Sequence, residues 1–208
     1  MHPRVLPPEV WDVVRRLGSE ASFEEWTLAG GTGLALQLGH WVSRDLDFFR
    51  DDAFEPEALA LELSRTAFVE VRDRSADMLH ATVGGVLMSF FRLERPLLYP
   101  GIPYRQLFLA DPRDVAVMKL MAIGGRGSRK DFIDLYMCLK RILDLRELLN
   151  LLERRFEGLD WNRYHLLKSL TWFEDAEDEP MPTMLTRVTW DEVRLGIVQA
   201  IRDSGLVR

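Results

Sequence analysis

The chain has one cysteine, four scattered histidines and no long apolar run. The single cysteine, Cys138, excludes an internal disulfide framework and fits a reducing compartment. Flanked by Leu135, Tyr136 and Met137, it reads as a small core residue of a helix. His2, His40, His80 and His165 are dispersed and show no partners in sequence, which argues against a zinc centre. No stretch approaches the ~20 apolar residues that span a bilayer. Met1-His2-Pro3-Arg4 leads into Pro7-Pro8 without the apolar segment of a signal peptide, so a cytoplasmic protein with no membrane association is expected. Surplus positive charge is lacking too: 27 Lys and Arg face 33 Asp and Glu, a formal net charge of −6. A generally nucleic-acid-coating surface is thereby excluded, but a local basic groove is not. There is no internal repeat, no Gly-Lys-Ser/Thr phosphate loop and no complete dinucleotide fingerprint.

What is present is the material of a folded domain. With 208 residues, 47% hydrophobic and 29% charged, the chain can build one sizeable core and is not of disordered composition. Pro8 to Leu17 reads as a helix, and 26–29 as a short strand entering Gly30-Gly31. Thr32 is placed to cap the helix that carries Leu34, Ala35, Leu36 and Leu38 and stops at Gly39. Leu46, Phe48 and Phe49 make the next strand, with Asp45 and Asp47 on one of its faces. A helix over 56–65 precedes strands at 67–72, 79–83 and 86–93, the last two joined at Gly84-Gly85, with a further short strand near 106–109.

Thereafter the pattern is helical. Asp111-Pro112-Arg113-Asp114 opens a helix expected to run to about Ile123 and break at Gly124-Gly125. Ser128 with Asp131, and Thr189 with Glu192, form capping boxes. Further helices are expected near 145–155, 161–172 and 190–202, with a loop over 174–182. The fold class is therefore α+β, a mixed β-sheet flanked by helices and followed by an all-helical C-terminal half. We divide it into a core over residues 1–110 and a helical region over 111–208.

Each candidate motif has an ordinary structural reading beside a functional one. Gly30-Gly31-Thr32 supplies backbone freedom and a cap, but the same bare helix N-terminus attracts phosphate. Asp45 and Asp47 could be solvent-facing carboxylates; their spacing does not fit a calcium loop, because Arg50 and Pro56 stand where Gly and Glu are needed. They suit magnesium, which takes few protein ligands and shares its other positions with phosphate and water. Lys119, amid Val117, Met118, Leu120 and Met121, either snorkels or turns inward to a negative partner such as a triphosphate. Asp131 is explained as a cap partner, whereas Asp134, between Ile133 and Leu135, has no such explanation. Arg126, Arg129 and Lys130 form a basic turn that is either solvated or in contact with a phosphate-bearing ligand.

In combination, G-G-T-x-L-A-L, then S-x-D-L-D-F-F, then a lysine-bearing helix, then R-x-x-R-K-D-F-I-D-L-Y resembles the AbiEii/AbiGii-type toxin family within the DNA-polymerase-β-like minimal nucleotidyltransferases. The resemblance covers roughly residues 25–140. It implies a nucleotidyltransferase fold and a Mg²⁺-dependent transfer of an NMP from an NTP to a hydroxyl acceptor, in characterised members a tRNA end. It also implies growth arrest as the outcome and a cognate antitoxin protein as partner. By resemblance, Gly30, Gly31, Thr32, Ser43, Lys119 and Arg126 bind the nucleotide, Asp45 and Asp47 hold the metal, and Asp47, Lys119 and Asp134 are catalytic, Asp134 as a possible base.

The chain departs from the family at two places: Trp41 follows His40 where an arginine is common, and the strand over 86–93 offers Ser89 where such enzymes often add a third carboxylate. Two alternatives stay open: a catalytically silent binding module of the same fold, and a kinase-like phosphotransferase. For either enzyme, Asp47→Ala and Lys119→Ala are expected to abolish activity with little loss of folding.

Overall fold

Proline and glycine set many of the element boundaries in the computed structural model, which describes residues 1–18, 21–159 and 161–206. Pro8 sits in the first turn of α1 (Pro8–Leu17), where a missing N–H costs no hydrogen bond, and the helix buries Val10, Trp11, Val13, Val14 and Leu17. The two-residue β1 (Thr27–Leu28) passes almost directly into α2 (Gly30–Leu38), which Gly39 ends in the left-handed conformation. There follow β2 (Leu46–Arg50), α3 (Pro56–Leu63), and the antiparallel run β3 (Val69–Ser75), β4 (Met78–Val83) and β5 (Val86–Arg92). The short pair β6 (Ile102–Tyr104) and β7 (Leu107–Leu109) completes the sheet. The remainder is α4 (Pro112–Arg126), α5 (Arg129–Arg141), α6 (Leu145–Arg155), α7 (Arg163–Ser169), α8 (Glu174–Glu177) and α9 (Trp190–Ser204).

The seven strands form one mixed sheet in the order β3-β4-β5-β2-β1-β7-β6. β2 is parallel to β5 and antiparallel to β1, and its register puts Asp47 beside Ser89 and Phe48 beside Phe90. Ser89 in turn lies opposite His80 on β4. Alternation of side chains sends Leu46, Phe48, Met88, Phe90, Leu79 and Ala81 to one face, where α1 and α3 cover them. Phe48 and Phe90 stack there at 5.3 Å, and burying each such ring is worth roughly 1.5–3 kcal/mol. Asp47, Ser89 and His80 point to the opposite face.

A second core joins α2 to the helical half. Leu34 and Leu38 share it with Val115 and Leu120 of α4, Phe132 and Ile133 of α5, Leu148 and Leu152 of α6, and Ile197 of α9. Ala35 and Leu36 of the same α2 belong to the sheet core. The helix that begins with the glycine turn is thus clamped between both halves of the chain.

The mixed sheet with flanking helices and a helical second half is the architecture expected from sequence. Several details differ, β6 among them, which the sequence did not announce, and four others bear on the helices and sheet. α2 begins at Gly30, with Ala29 rather than Thr32 at its N-cap. α4 continues through Gly124-Gly125 to Arg126, because α7 supports its last turn: His165 Nε2 bonds the Gly124 carbonyl at 2.7 Å, and a Cβ on Gly124 would lie 2.4 Å from Leu166. β3 begins two residues later than expected, and a register shift between Val71 and Asp73 carries it on to Ser75. The expected 174–182 loop opens with the one-turn α8.

Candidate active site

The site begins where β1 turns into α2. Gly30 takes φ +58°, a conformation that a side chain would strain. No side chain caps α2, so the amides of Gly30, Gly31 and Thr32 have no acceptor within the helix and carry its positive end. The glycines also permit close approach. A Cβ on Gly30 would lie 2.8 Å from Asp47 Oδ2, and one on Gly31 would lie 2.6 Å from the Trp41 ring and 3.1 Å from Asp134 Oδ2. The turn is therefore in contact with both acidic centres.

Asp45 is exposed just before β2, and Asp47 is half-buried within it. Burial lifts the Asp47 carboxyl above its ordinary range; a hydrogen bond from Ser89 and the charge of Lys119 oppose the rise, and the nearby charge of Asp45 adds to it. Asp47 is left with incompletely answered negative charge against the start of α2. Ser89 also meets His80, whose Nδ1 lies 2.9 Å from the serine Oγ.

The second acidic centre is buried and ion-paired. Asp134 is completely inaccessible on α5 and accepts from His40 Nε2 at 2.7 Å and Trp41 Nε1 at 2.9 Å. Its other oxygen is 2.9 Å from Lys119 Nζ. Burial would raise the Asp134 pKa, but Lys119 and His40 outweigh it and hold the group below the usual carboxylate range. Lys119 does not snorkel: its side chain is 11% exposed, and Nζ also pairs with Asp131 Oδ1 at 2.8 Å. Burial would lower the Lys119 pKa, but Asp134 and Asp131 reverse that and hold the ammonium charged. Asp131 meanwhile completes the capping box at the start of α5 with Ser128, so its two oxygens do two jobs.

The sequence-selected residues are thus mostly brought together, with some changed duties. The hydroxyls of Thr32 and Ser43 are buried and bonded to each other, and that of Thr32 also bonds the Asp45 carbonyl. They fix the 43–45 segment against α2, and the Thr32 hydroxyl is thereby occupied. Arg126 is exposed at the end of α4, two turns beyond Lys119 and so ~10 Å along the same helix face. It lines a cavity with His165, Lys168 and Trp172. The basic turn divides: Arg129 is buried and bonds the Ala176 carbonyl at 2.9 Å, whereas Lys130 is exposed with Nζ 5.0 Å from the Trp41 ring.

Two expectations need correction. The histidines are not partnerless, since His40 bonds Asp134, His80 bonds Ser89 and His165 bonds Gly124. Nor can Lys119 be removed at little cost to folding, because two carboxylates depend on it. Sequence reasoning missed His40, Trp41 and the second role of Asp131. The first two reach Asp134 across more than ninety residues, and no local pattern announces such a contact.

Among the described residues no group of three or more His, Cys, Asp or Glu side chains forms a metal cage. Two hard carboxylates with residual mutual repulsion, beside amides open to phosphate, nevertheless match an ion that fills most of its positions with phosphate oxygens and water. Asp45 and Asp47 fit that ion.

Together, this sheet order and the flanking helices define a nucleotidyltransferase-like fold, and the comparisons with solved structures agree. MenT4, a nucleotidyltransferase toxin of Mycobacterium tuberculosis H37Rv, aligns with a TM-score of 0.63 over 97% of this chain and 87% of its own, at 15% identity. JHP933 from Helicobacter pylori aligns at 0.56 over 95% and 92%, with 14% identity. The antibiotic-resistance factor ANT(2'')-Ia aligns at 0.51 over 70% and 88%, with 11% identity. At these identities the likeness is one of fold. The chain belongs to the same family as the uncharacterized protein aq_aa25 of Aquifex aeolicus (strain VF5), to which it is 32% identical over 195 residues, 91% of this chain and 93% of that one. No known family profile matches the sequence. Among the described residues no helix is long and apolar enough to cross a membrane.

Proposed function

We propose that this protein is a Mg²⁺-dependent nucleotidyltransferase that moves an NMP from an NTP to a hydroxyl acceptor. The observation that carries the reading is the contact of Gly30 with Asp47, which sets a bare helix N-terminus against an under-neutralised carboxylate pair. Amides there suit the β- and γ-phosphates, and the acids would suit a divalent metal that supplies positive charge. Mg²⁺, held by Asp45 and Asp47, would offset charge developing on the phosphate oxygens.

The chain's own residues have separable tasks. Gly30, Gly31 and the Thr32 amide orient the triphosphate tail, and Lys119 supplies positive charge beside Asp47. Asp134 aims Lys119 through their 2.9 Å pair and ties it to His40 and Trp41. The proton-accepting role expected of Asp134 does not suit a group so buried, so engaged and so firmly ionised. Arg126 and Lys130 are free to meet the acceptor or the nucleotide. The motif resemblance to AbiEii/AbiGii-type toxins, with the fold of the MenT4 toxin, supports tRNA as the first acceptor to try, a toxin role, and a cognate antitoxin as partner.

One observation favours a second reading. Ser89 stands beside Asp47 where a third acid would be expected, as it would in a silent binding module. Incubation of the protein with Mg²⁺, total tRNA and α- or γ-labelled NTPs separates the possibilities. Nucleotidyl transfer leaves the α label on the acceptor, a kinase leaves the γ label, and NTP binding without either product identifies the silent module.

A further inference from the structure

We propose that His80 is the general base of the transfer, with Ser89 as the residue that fixes its tautomer. The inference rests on the nucleotidyltransferase reading and adds a catalytic residue to it. Asp47, Ser89 and His80 stand side by side across β2, β5 and β4, on the sheet face away from the α1 core, and His80 Nδ1 lies 2.9 Å from Ser89 Oγ. An ionised Asp47 can only accept, so the single hydroxyl hydrogen of Ser89 is directed to it. The Ser89 oxygen must then accept from His80 Nδ1 at 2.9 Å. A neutral imidazole with its hydrogen on Nδ1 has its lone pair on Nε2, and no protein group among the described residues bonds that nitrogen. Ser89, the apparent gap in the acidic set, becomes the link that aims a base.

Topology puts this base on the side where it is needed. The glycine turn meets Asp47 from the β1 and α2 side, so the β- and γ-phosphates lie there. In-line displacement at the α-phosphorus brings the acceptor from the opposite side, over β5 and β4. With strands ~4.8 Å apart, His80 stands ~10 Å from β2 at backbone level, which leaves room for an α-phosphate and an attacking oxygen between them. The titratable groups facing His80 are Asp47, across β5, and Asp73, its register partner on β3; the Phe91 ring meets it edge-on at 5.3 Å. In the step, the acceptor O–H bond breaks and its proton passes to His80 Nε2. The oxygen bonds the α-phosphorus, the bond from that phosphorus to the bridging oxygen breaks, and pyrophosphate leaves with the electron pair. Asp134 is held by His40, Trp41 and Lys119, so it does not compete for the proton.

The test compares wild type, His80→Gln and Ser89→Ala in single-turnover transfer from α-labelled NTP across pH, with Mg·NTP binding followed separately by thermal shift. His80→Gln puts an amide at the position of Nε2 and has no basic nitrogen. It is expected to bind Mg·NTP like wild type, lose on the order of 10²–10³-fold in rate, and lack the acid limb of the wild-type pH profile. Ser89→Ala is expected to lose less rate and to shift that limb. Wild-type rate in His80→Gln, or a fall that is uniform in pH with the limb intact, would overturn the assignment of His80 while wild-type α-label transfer upheld the underlying reading. No transfer by the wild type at any pH would overturn both.

Discussion

The two acidic centres that touch the glycine turn differ in how much of their charge is answered. Asp134 is wholly buried, yet three side chains contact it, one of them Lys119, and its pKa is held down. Asp47 is half-exposed, yet burial and the repulsion of Asp45 exceed what Ser89 and Lys119 return, and its pKa is raised. The saturated centre is where the chain holds itself together, and the unsaturated one is where a cation and phosphates have something to gain. Burial alone would have ranked them the other way round as functional groups.

The largest expected effect of breaking the contrast is at Asp47. Asp47→Asn removes the unanswered charge together with the proposed metal ligand, so transfer should fall on the order of 10³-fold or more, while the urea midpoint stays level or rises. A marked loss of stability would place Asp47 with the structural centre instead. Lys119→Met should do the reverse of a clean active-site change. Stranding Asp134 and Asp131 is expected to cost about 3–5 kcal/mol, and pairing it with Asp134→Asn should restore part of that stability but no activity.

Acid separates the centres by sign. Asp134 has a depressed folded pKa, so its contribution to stability is present above the unfolded carboxylate value of ~3.9 and is lost as pH falls through the lower folded value. Asp47 has a raised one, so its ionisation opposes folding as pH rises through that value, and acidification relieves the penalty. Urea midpoints of wild type, Asp47→Asn and Asp134→Asn between pH 6 and pH 3 should show the two differences moving in opposite directions. Equal slopes would remove the distinction. The smallest effect is expected at Arg126, which bonds neither centre. Arg126→Ala should change stability by no more than ~0.5 kcal/mol and raise KM for the acceptor or NTP several-fold with kcat little changed.

Much of this was legible in sequence because it is local. Alternation placed Asp45 and Asp47 together, glycine marked the helix entry, and both capping boxes formed as the residue types required. Thr32 was misassigned as a cap because its hydroxyl is claimed by Ser43 and the Asp45 carbonyl, a contact made only once β2 lies beside α2. The continuation of α4 through Gly124-Gly125 likewise depends on α7, some forty residues on. Lys119 and Asp134 could be selected as odd charges in apolar helices, but their pairing with each other, and with His40 and Trp41, exists only in three dimensions.

The most direct measurement is the thermal stability of wild type and Asp47→Asn with and without Mg·NTP. Ligand at about 100 times its Kd contributes about 2.7 kcal/mol, which in a chain of this size is a rise in Tm of roughly 5–10 °C. The expected result is that rise in wild type, its loss in Asp47→Asn, and an unliganded variant at least as stable as wild type. A variant that keeps the full Mg·NTP shift, or a wild type that shows none with any NTP, would contradict the assignment of the Gly30–Asp47 contact as the nucleotide site.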